Sequence, residues 1–268
     1  MNIVVSNLDF TYPAGVKALS GVSLKIKSGE QVAIVGQNGS GKTTLVKHLN
    51  GLLQPSSGSV LIGDLDTKKV SVAKLARRIG YVFQNPDEQL FCSTVGEEIA
   101  FGPRNFGFDP LKTENLVNDS LQLVELTDRK NTNPYDLSAT WRKMVALASI
   151  ISMDTECVIL DEPTTGQDAA NIARIANVVS ELKKRGKTVI TITHDIDFCA
   201  ENFDRVIAMA KGQVLLDGPA SVVLGKTEIL AQTYVDPPQL TRLGKSLGIK
   251  KTVRNQAEFL AGFKKIIL

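Results

Sequence analysis

The chain is poor in histidine, tryptophan and cysteine, with two, one and three residues among 268. Cys92, Cys157 and Cys199 are odd in number and widely spaced, which excludes a disulfide framework and a cysteine-ligated metal centre. Cys157 opens an apolar run and reads as a small buried hydrophobe. Reduced, cytosolic chemistry is the default for such usage. The formal net charge is +3, with Lys and Arg scattered, too little asymmetry to argue for nucleic acid. The short clusters Lys183-Lys184-Arg185 and Lys250-Lys251 read as solvated helix ends. The first residues, Met1-Asn2-Ile3-Val4-Val5, lack a basic segment followed by an apolar one, so no signal peptide is expected. No apolar run approaches the roughly 20 residues that span a bilayer. The best candidate, Met144 to Met153, reads as a buried helix. Work at a membrane would therefore require docking through partners.

Alternating patterns fill the rest of the chain. A hydrophobic content of 43% and a charged content of 22% suit one large domain, or a domain with a small appendage. Ile3 to Phe10 and Val22 to Ile26 alternate as antiparallel strands covered on one face do. Gln31 to Val35 is a short apolar run, as in a strand buried on both faces. A glycine-rich turn follows, then a predicted helix from about Lys42 to Leu49. Val60 to Ile62 and Ile79 to Phe83 are further strands. From about 85 to 153 the pattern is mostly helical, with a stripe of Leu116, Leu121, Leu123, Val124 and Leu126. Strand and helix then alternate from Val158 to Leu216, which implies a mostly parallel sheet with helices on its faces. The helical stretch is an insertion into that core. Pro237-Pro238 marks a break before a final segment that reads as an appended helical piece.

Gly36-Gln37-Asn38-Gly39-Ser40-Gly41-Lys42-Thr43 fits G-x-x-x-x-G-K-[ST] between a buried strand and a helix. Glycines permit backbone conformations closed to other residues, so successive N–H groups can form an anion nest. The following helix adds its positive dipole end. Lys42 can reach the outer phosphates as a point charge, and the Thr43 hydroxyl can ligate Mg²⁺. Thr44 belongs to the same ATP-binding set.

Cys157 to Glu162 is an apolar strand ending in two carboxylates, at the strand end where open α/β sheets bind ligands. Asp161 there can hold Mg²⁺, and Glu162 can polarise an attacking water. His194 follows the apolar run Thr188 to Thr193 and can bond a γ-phosphate or that water. A satisfied loop histidine would look the same. His48 is expected at a surface or groove. Gln84 ends the strand at Phe83, and its amide can ligate Mg²⁺. Tyr12 can stack on a purine, although a half-buried strand-end tyrosine would look alike.

In this order the motifs resemble the ATPase subunit of an ABC transporter. Tyr12 precedes the core, and the phosphate loop and Gln84 follow. Then come a Leu137-Ser138 signature start, the Asp161-Glu162 strand end, the loop Thr165-Gly166-Gln167-Asp168 and a switch histidine, His194. The resemblance covers roughly Met1 to Asp236. A narrower likeness lies in Phe83 to Phe91 and in Asp236 to Thr241, which resemble energy-coupling-factor and cobalt-type importers. The resemblance implies an α/β fold: a P-loop NTPase core with a mostly parallel sheet, an antiparallel β subdomain and an inserted α-helical subdomain. Residues 1–236 would form the ATPase domain and 237–268 a helical appendage. It also implies ATP and Mg²⁺, a second ATPase subunit, a transmembrane coupling subunit and a membrane substrate-binding subunit, for vitamins or transition-metal ions. No nucleic-acid partner is expected.

One stretch departs from the family. Its signature reads Leu-Ser-Gly-Gly-Gln, whereas this chain has Leu137-Ser138-Ala139-Thr140-Trp141. In the family that stretch closes on the partner's ATP from a helix N-terminus. Ala139 and Thr140 add Cβ atoms, and Thr140 would resist a positive φ if one were required. Trp141 puts a large ring where a small polar contact is usual, unless it turns into the helical core. The expected consequence is a heterodimer with a paralogue, with unequal sites. Two other readings are a nucleotide-sensing or structural subunit with little turnover, and a non-transport ABC ATPase. The absence of a long coiled-coil insertion or a second ATPase domain opposes the latter.

Overall fold

The computed structural model describes residues 1–267. The chain opens with the antiparallel strands β1 (Ile3–Thr11) and β2 (Lys17–Ile26), followed by β3 (Gln31–Val35) and helix α1 (Lys42–Leu49). Next come β4 (Ser57–Ile62), β5 (Leu65–Asp66), the short α2 (Val72–Ala76) and β6 (Ile79–Val82). Three helices follow: α3 (Val95–Asn105), α4 (Pro110–Leu123) and α5 (Ala139–Ile151). The chain then runs through β7 (Cys157–Asp161), α6 (Ala169–Lys184), β8 (Thr188–Thr193), α7 (Ile196–Asn202), β9 (Arg205–Ala210) and β10 (Gln213–Pro219). Short helices α8 (Ala220–Val223) and α9 (Thr227–Gln232) lead to α10 (Gln239–Ser246) and α11 (Gln256–Ile267).

The strands form two sheets, in the orders β2-β1-β4-β5 and β10-β9-β3-β8-β7-β6. The first is antiparallel. The second is parallel except for the β9–β10 pair. In β3 every residue is buried, and its side chains divide between two apolar layers. Val32 and Ile34 join the layer shared with the antiparallel sheet and α1, whereas Ala33 and Val35 join the layer under α3 to α6. Strand side chains alternate across a sheet, so a continuous apolar run is what two covered faces require.

Asp side chains begin α4, α6 and α7, where Asp109, Asp168 and Asp195 accept first-turn N–H groups. His48 is a correction to the surface or groove position expected from the sequence. Its side chain is fully buried, 4.7 Å edge-on to Phe10, with Nδ1 2.7 Å from the Thr44 carbonyl. Helix α1 packs inward against the antiparallel sheet, and His48 lies on that packed face. Cys157 is buried, and burial pushes its thiol up to about 12. In the last segment, Thr241 Oγ1 donates to the Val253 carbonyl at 2.5 Å, and the Gln239 N–H donates to Asp197 at 2.9 Å.

Candidate active site

Parallel register brings three strand ends together. Val35 pairs with Thr193, and Asp161 pairs with Ile192. The residues that follow these strands, Gly36, Glu162 and His194, therefore emerge side by side at the carboxyl edge of the sheet. This edge is where open α/β sheets collect ligands.

The loop of residues 36–41 is set by close backbone approach. Gly36 has φ 151°, and a Cβ there would lie 2.2 Å from the Met209 carbonyl oxygen. Gly41 has φ 102°, and its Cβ would lie 2.7 Å from the Ala18 carbonyl oxygen. Neither position admits a side chain. Asn38 and Gly39 are exposed at the loop crest, and Ser40 is buried beneath them. The Gln37 N–H donates to the Thr233 carbonyl at 3.0 Å. Lys42 is buried, and its Nζ donates to the carbonyls of Gly36 at 2.6 Å and Gln37 at 3.0 Å. Burial pushes the ammonium below its ordinary range, while the charges of Glu162 and Asp161 oppose that shift. Thr43 is half-buried in the first turn of α1. Thr44 Oγ1 shares a 3.0 Å hydrogen bond with the Tyr12 hydroxyl. Tyr12 also stands edge-on to Phe10 at 4.9 Å.

The acidic end is asymmetric. Asp161 Oδ2 accepts from the Tyr81 hydroxyl at 2.5 Å, whereas its buried Oδ1 has no protein donor among the described residues. Burial raises the Asp161 carboxyl, as does the charge of Glu162, and Tyr81 and Lys143 pull the other way. Glu162 takes a left-handed backbone conformation, φ 46°, and its N–H donates to the Ile192 carbonyl at 2.8 Å. Its Oε2 lies 2.9 Å from His194 Nδ1. The Glu162 side chain is buried and the His194 side chain exposed. Thus Lys42, Asp161, Glu162 and His194 are brought together. Gln84 is exposed just beyond β6, which borders β7 through the Val82–Leu160 pair.

Tyr81 and Lys143 went unnoticed in the sequence. Lys143 Nζ donates to the carbonyls of Phe83 at 2.9 Å and Gln84 at 2.7 Å and lies 3.5 Å from that of Asp161. Burial pushes it down to about 8, against the pull of Asp161 and Glu162. The available signal was a charge immediately before the apolar run Met144 to Met153, in helical continuity with it. Gln89 adds to this joint: its amide accepts from the Phe83 N–H at 3.1 Å and donates to the Ala146 carbonyl at 2.7 Å. The backbone around Gln84 is therefore fastened to α5.

The signature stretch lies apart. Among the described residues, Leu137 to Trp141 make no hydrogen bond to the phosphate loop, Asp161, Glu162 or His194. Ser138 is the N-cap of α5, but its side chain caps no N–H. Its hydroxyl instead shares a 2.8 Å bond with Thr140 Oγ1. Ala139 and Thr140 fall in the first helical turn, and neither has a positive φ, so Thr140 carries no backbone strain. Trp141 turns inward and packs against the core beside Leu137.

The ABC transporter family model matches residues 19–165. The chain belongs to the ABC transporter family. A putative ABC transporter ATP-binding protein of Methanosarcina acetivorans is 39% identical over 92% of this chain, which spans 40% of that relative's length. An energy-coupling factor transporter ATP-binding protein, EcfA, of Methanocaldococcus jannaschii is 36% identical over 97% of this chain and 94% of its own. Among solved structures, cbiO1 of Clostridium perfringens, part of the ABC transporter complex cbiONQ, superimposes with a TM-score of 0.78. It is 35% identical, with 92% of this chain and 98% of that one covered. A dimeric ATP-binding cassette in a post-hydrolysis state, bound to ADP and Pi, gives a TM-score of 0.74 at 28% identity, covering 81% and 98%. The fold expected for this ABC family member, an α/β cassette with two sheets and inserted helices, is the one observed.

Proposed function

We propose that the chain is the ATP-hydrolysing motor subunit of an ABC importer of the energy-coupling-factor type, acting as a head-to-tail dimer with a paralogous ATPase. The observation that carries this reading is the meeting of the Lys42 ammonium with the buried Asp161–Glu162 pair, Glu162 being already in contact with His194. The residues suit a nucleotide and its metal ion. The loop brings backbone to within contact distance where a Cβ would clash, and Asp161 Oδ1 is a buried acceptor with no protein donor.

Residues Gly36 to Thr44 would hold the phosphates, and Tyr12, braced by Thr44 and Phe10, would stack on the purine. Thr43, Gln84 and Asp161 would hold Mg²⁺, which when bound offsets the charge of the transferring phosphoryl group. Glu162 takes the position of the base that orients water, and His194 steadies that carboxylate and faces solvent, where the γ-phosphate would arrive. Lys42 balances charge at the outer phosphates. Leu137, Ser138, Ala139, Thr140 and Trp141 would serve the partner's ATP.

An apolar groove of about 400 Å³ beside Gln89 supports docking to a transmembrane coupling subunit. Phe91 and Phe101 form its wall, ring to ring at 4.7 Å, and are 62% and 43% exposed. An amphipathic partner helix buries such a wall. A membrane substrate-binding subunit completes the assembly, with the solute a vitamin or a transition-metal ion. Among the described residues no helix is long and apolar enough to cross a membrane, and the proposed location is the cytoplasmic face, held by these partners. Residues 1–236 constitute the ATPase domain in this scheme and 237–268 the appendage.

A low-turnover reading draws on one feature: the Ser138 hydroxyl is engaged by Thr140. ATPase assays on the assembled complex separate the two readings. Glu162→Gln is expected to retain ATP binding and to lose turnover by about 100-fold or more. Unchanged turnover would remove Glu162 from its role. Full activity of this chain alone as a homodimer would exclude the obligatory paralogue.

A further inference from the structure

Trp141 is the single tryptophan of the chain and the third residue of α5. Its indole lies against the core, and the guanidinium of Arg174, from the second turn of α6, covers its face with Cζ 4.8 Å from the ring centroid. A planar cation over an indole is a favoured electrostatic contact, strengthened by partial desolvation. Arg174 is held from two further directions. Its Nε donates to Glu125 at 2.7 Å, and its Nη1 donates to Asn171 Oδ1 at 2.9 Å. Asn171 is buried, and its N–H donates to the Asp168 side chain at 2.8 Å. Unbroken contact therefore runs from Trp141 through Arg174 and Asn171 to Asp168.

This series joins two helix starts. Ser138 and Asp168 are the N-caps of α5 and α6, and Asp168 closes the loop 165–168. Burial alone would not require a cation held over the ring. The guanidinium instead spans three elements: the turn after α4 through Glu125, α5 through Trp141 and α6 through Asn171.

We propose that Trp141 is a positioning residue which, through Arg174, locks the start of α5 to the start of α6, so that Ser138 and the 165–168 loop face a partner subunit's nucleotide as one rigid edge. The proposal rests on the dimeric ATPase reading for its functional consequence, but the lock itself does not. The departures at Ala139 and Thr140 take on meaning here. They exchange an adaptable glycine pair for a stiff first turn, and Trp141 fixes where that turn sits.

Because Trp141 is the only tryptophan, the tryptophan emission of the full-length chain reports on this ring and its cover. Arg174→Met is expected to raise acrylamide quenching of that emission about two-fold, and Arg174→Lys to restore it in part. In the complex with its partner ATPase, Arg174→Met and Trp141→Ala are expected to lower kcat about five-fold, with KM for MgATP within about two-fold of the wild type. Trp141→Phe, which keeps a ring for the cation, is expected to fall between. Quenching unchanged in Arg174→Met overturns the lock, whatever the turnover. Increased quenching with kcat unchanged overturns the positioning role. Should Trp141→Ala fail to fold, Arg174→Met decides the matter, since it leaves the core ring in place. A wild-type complex without turnover would break the ATPase reading instead, and the quenching comparison would still decide the lock.

Discussion

The phosphate loop and the signature stretch both lie near a helix N-terminus, yet they owe their shapes to different forces. Residues 36–41 are fixed by backbone crowding: Gly36 sits against Met209 and Gly41 against Ala18, where a Cβ would clash. Residues 137–141 are fixed by side chains, through the Ser138–Thr140 bond and the Trp141–Arg174 contact. The first kind of shape leaves no room for a side chain at Gly36 or Gly41. The second can be rebuilt with different residues, which is how a family pattern can be altered there while the helix still forms.

Breaking the first region should cost most. Gly36→Ala is expected to abolish ATP binding and to lower stability by about 3 kcal/mol, because the new Cβ meets fixed backbone. Urea unfolding with a fluorescent-nucleotide titration measures both, and near wild-type values would show that the loop can yield. A smaller effect should come from His48, on the helix behind the same loop. Burial lowers its pKa from 6.5, so below pH 6.5 the unfolded chain gains a proton that the folded chain refuses. Stability should therefore fall as pH drops, by at most about 1.4 kcal/mol per unit. His48→Gln should flatten that slope between pH 6.5 and 5, and an identical slope would assign it to other groups. The smallest effect is expected in the second region. Thr140→Gly frees the Ser138 hydroxyl and should raise turnover of the assembled complex about three-fold, the worth of one hydrogen bond of roughly 0.7 kcal/mol. A decrease would mean that Thr140 holds Ser138 in a useful place.

The two regions also differ in how readily the sequence revealed them. The loop of residues 36–43 could be placed between a strand and a helix because glycine spacing and an apolar run report backbone demands directly. The meeting of Gly36, Glu162 and His194 followed once parallel strands were expected, since register aligns their ends. His48 was misplaced because one histidine on an eight-residue helix gives no sign of which face packs inward. Lys143 and Tyr81 were missed because their roles depend on partners distant in sequence, the Gln84 carbonyl and Asp161. Trp141 left two orientations open, and the side chains it meets in the inward one, the core and Arg174, 33 positions further on, are distant in sequence.

Lys42 gives the phosphate loop one more property. Its ammonium already spends two hydrogen bonds on the carbonyls of Gly36 and Gln37. Under the proposed ATP-binding role the loop would carry a built-in rival to an incoming phosphate, and nucleotide affinity would be the difference between two sets of bonds to the same nitrogen. Such an exchange would keep the loop folded between visits and ease departure. In the proposed role of an ATP-driven motor, a self-occupied cradle would work as a return spring.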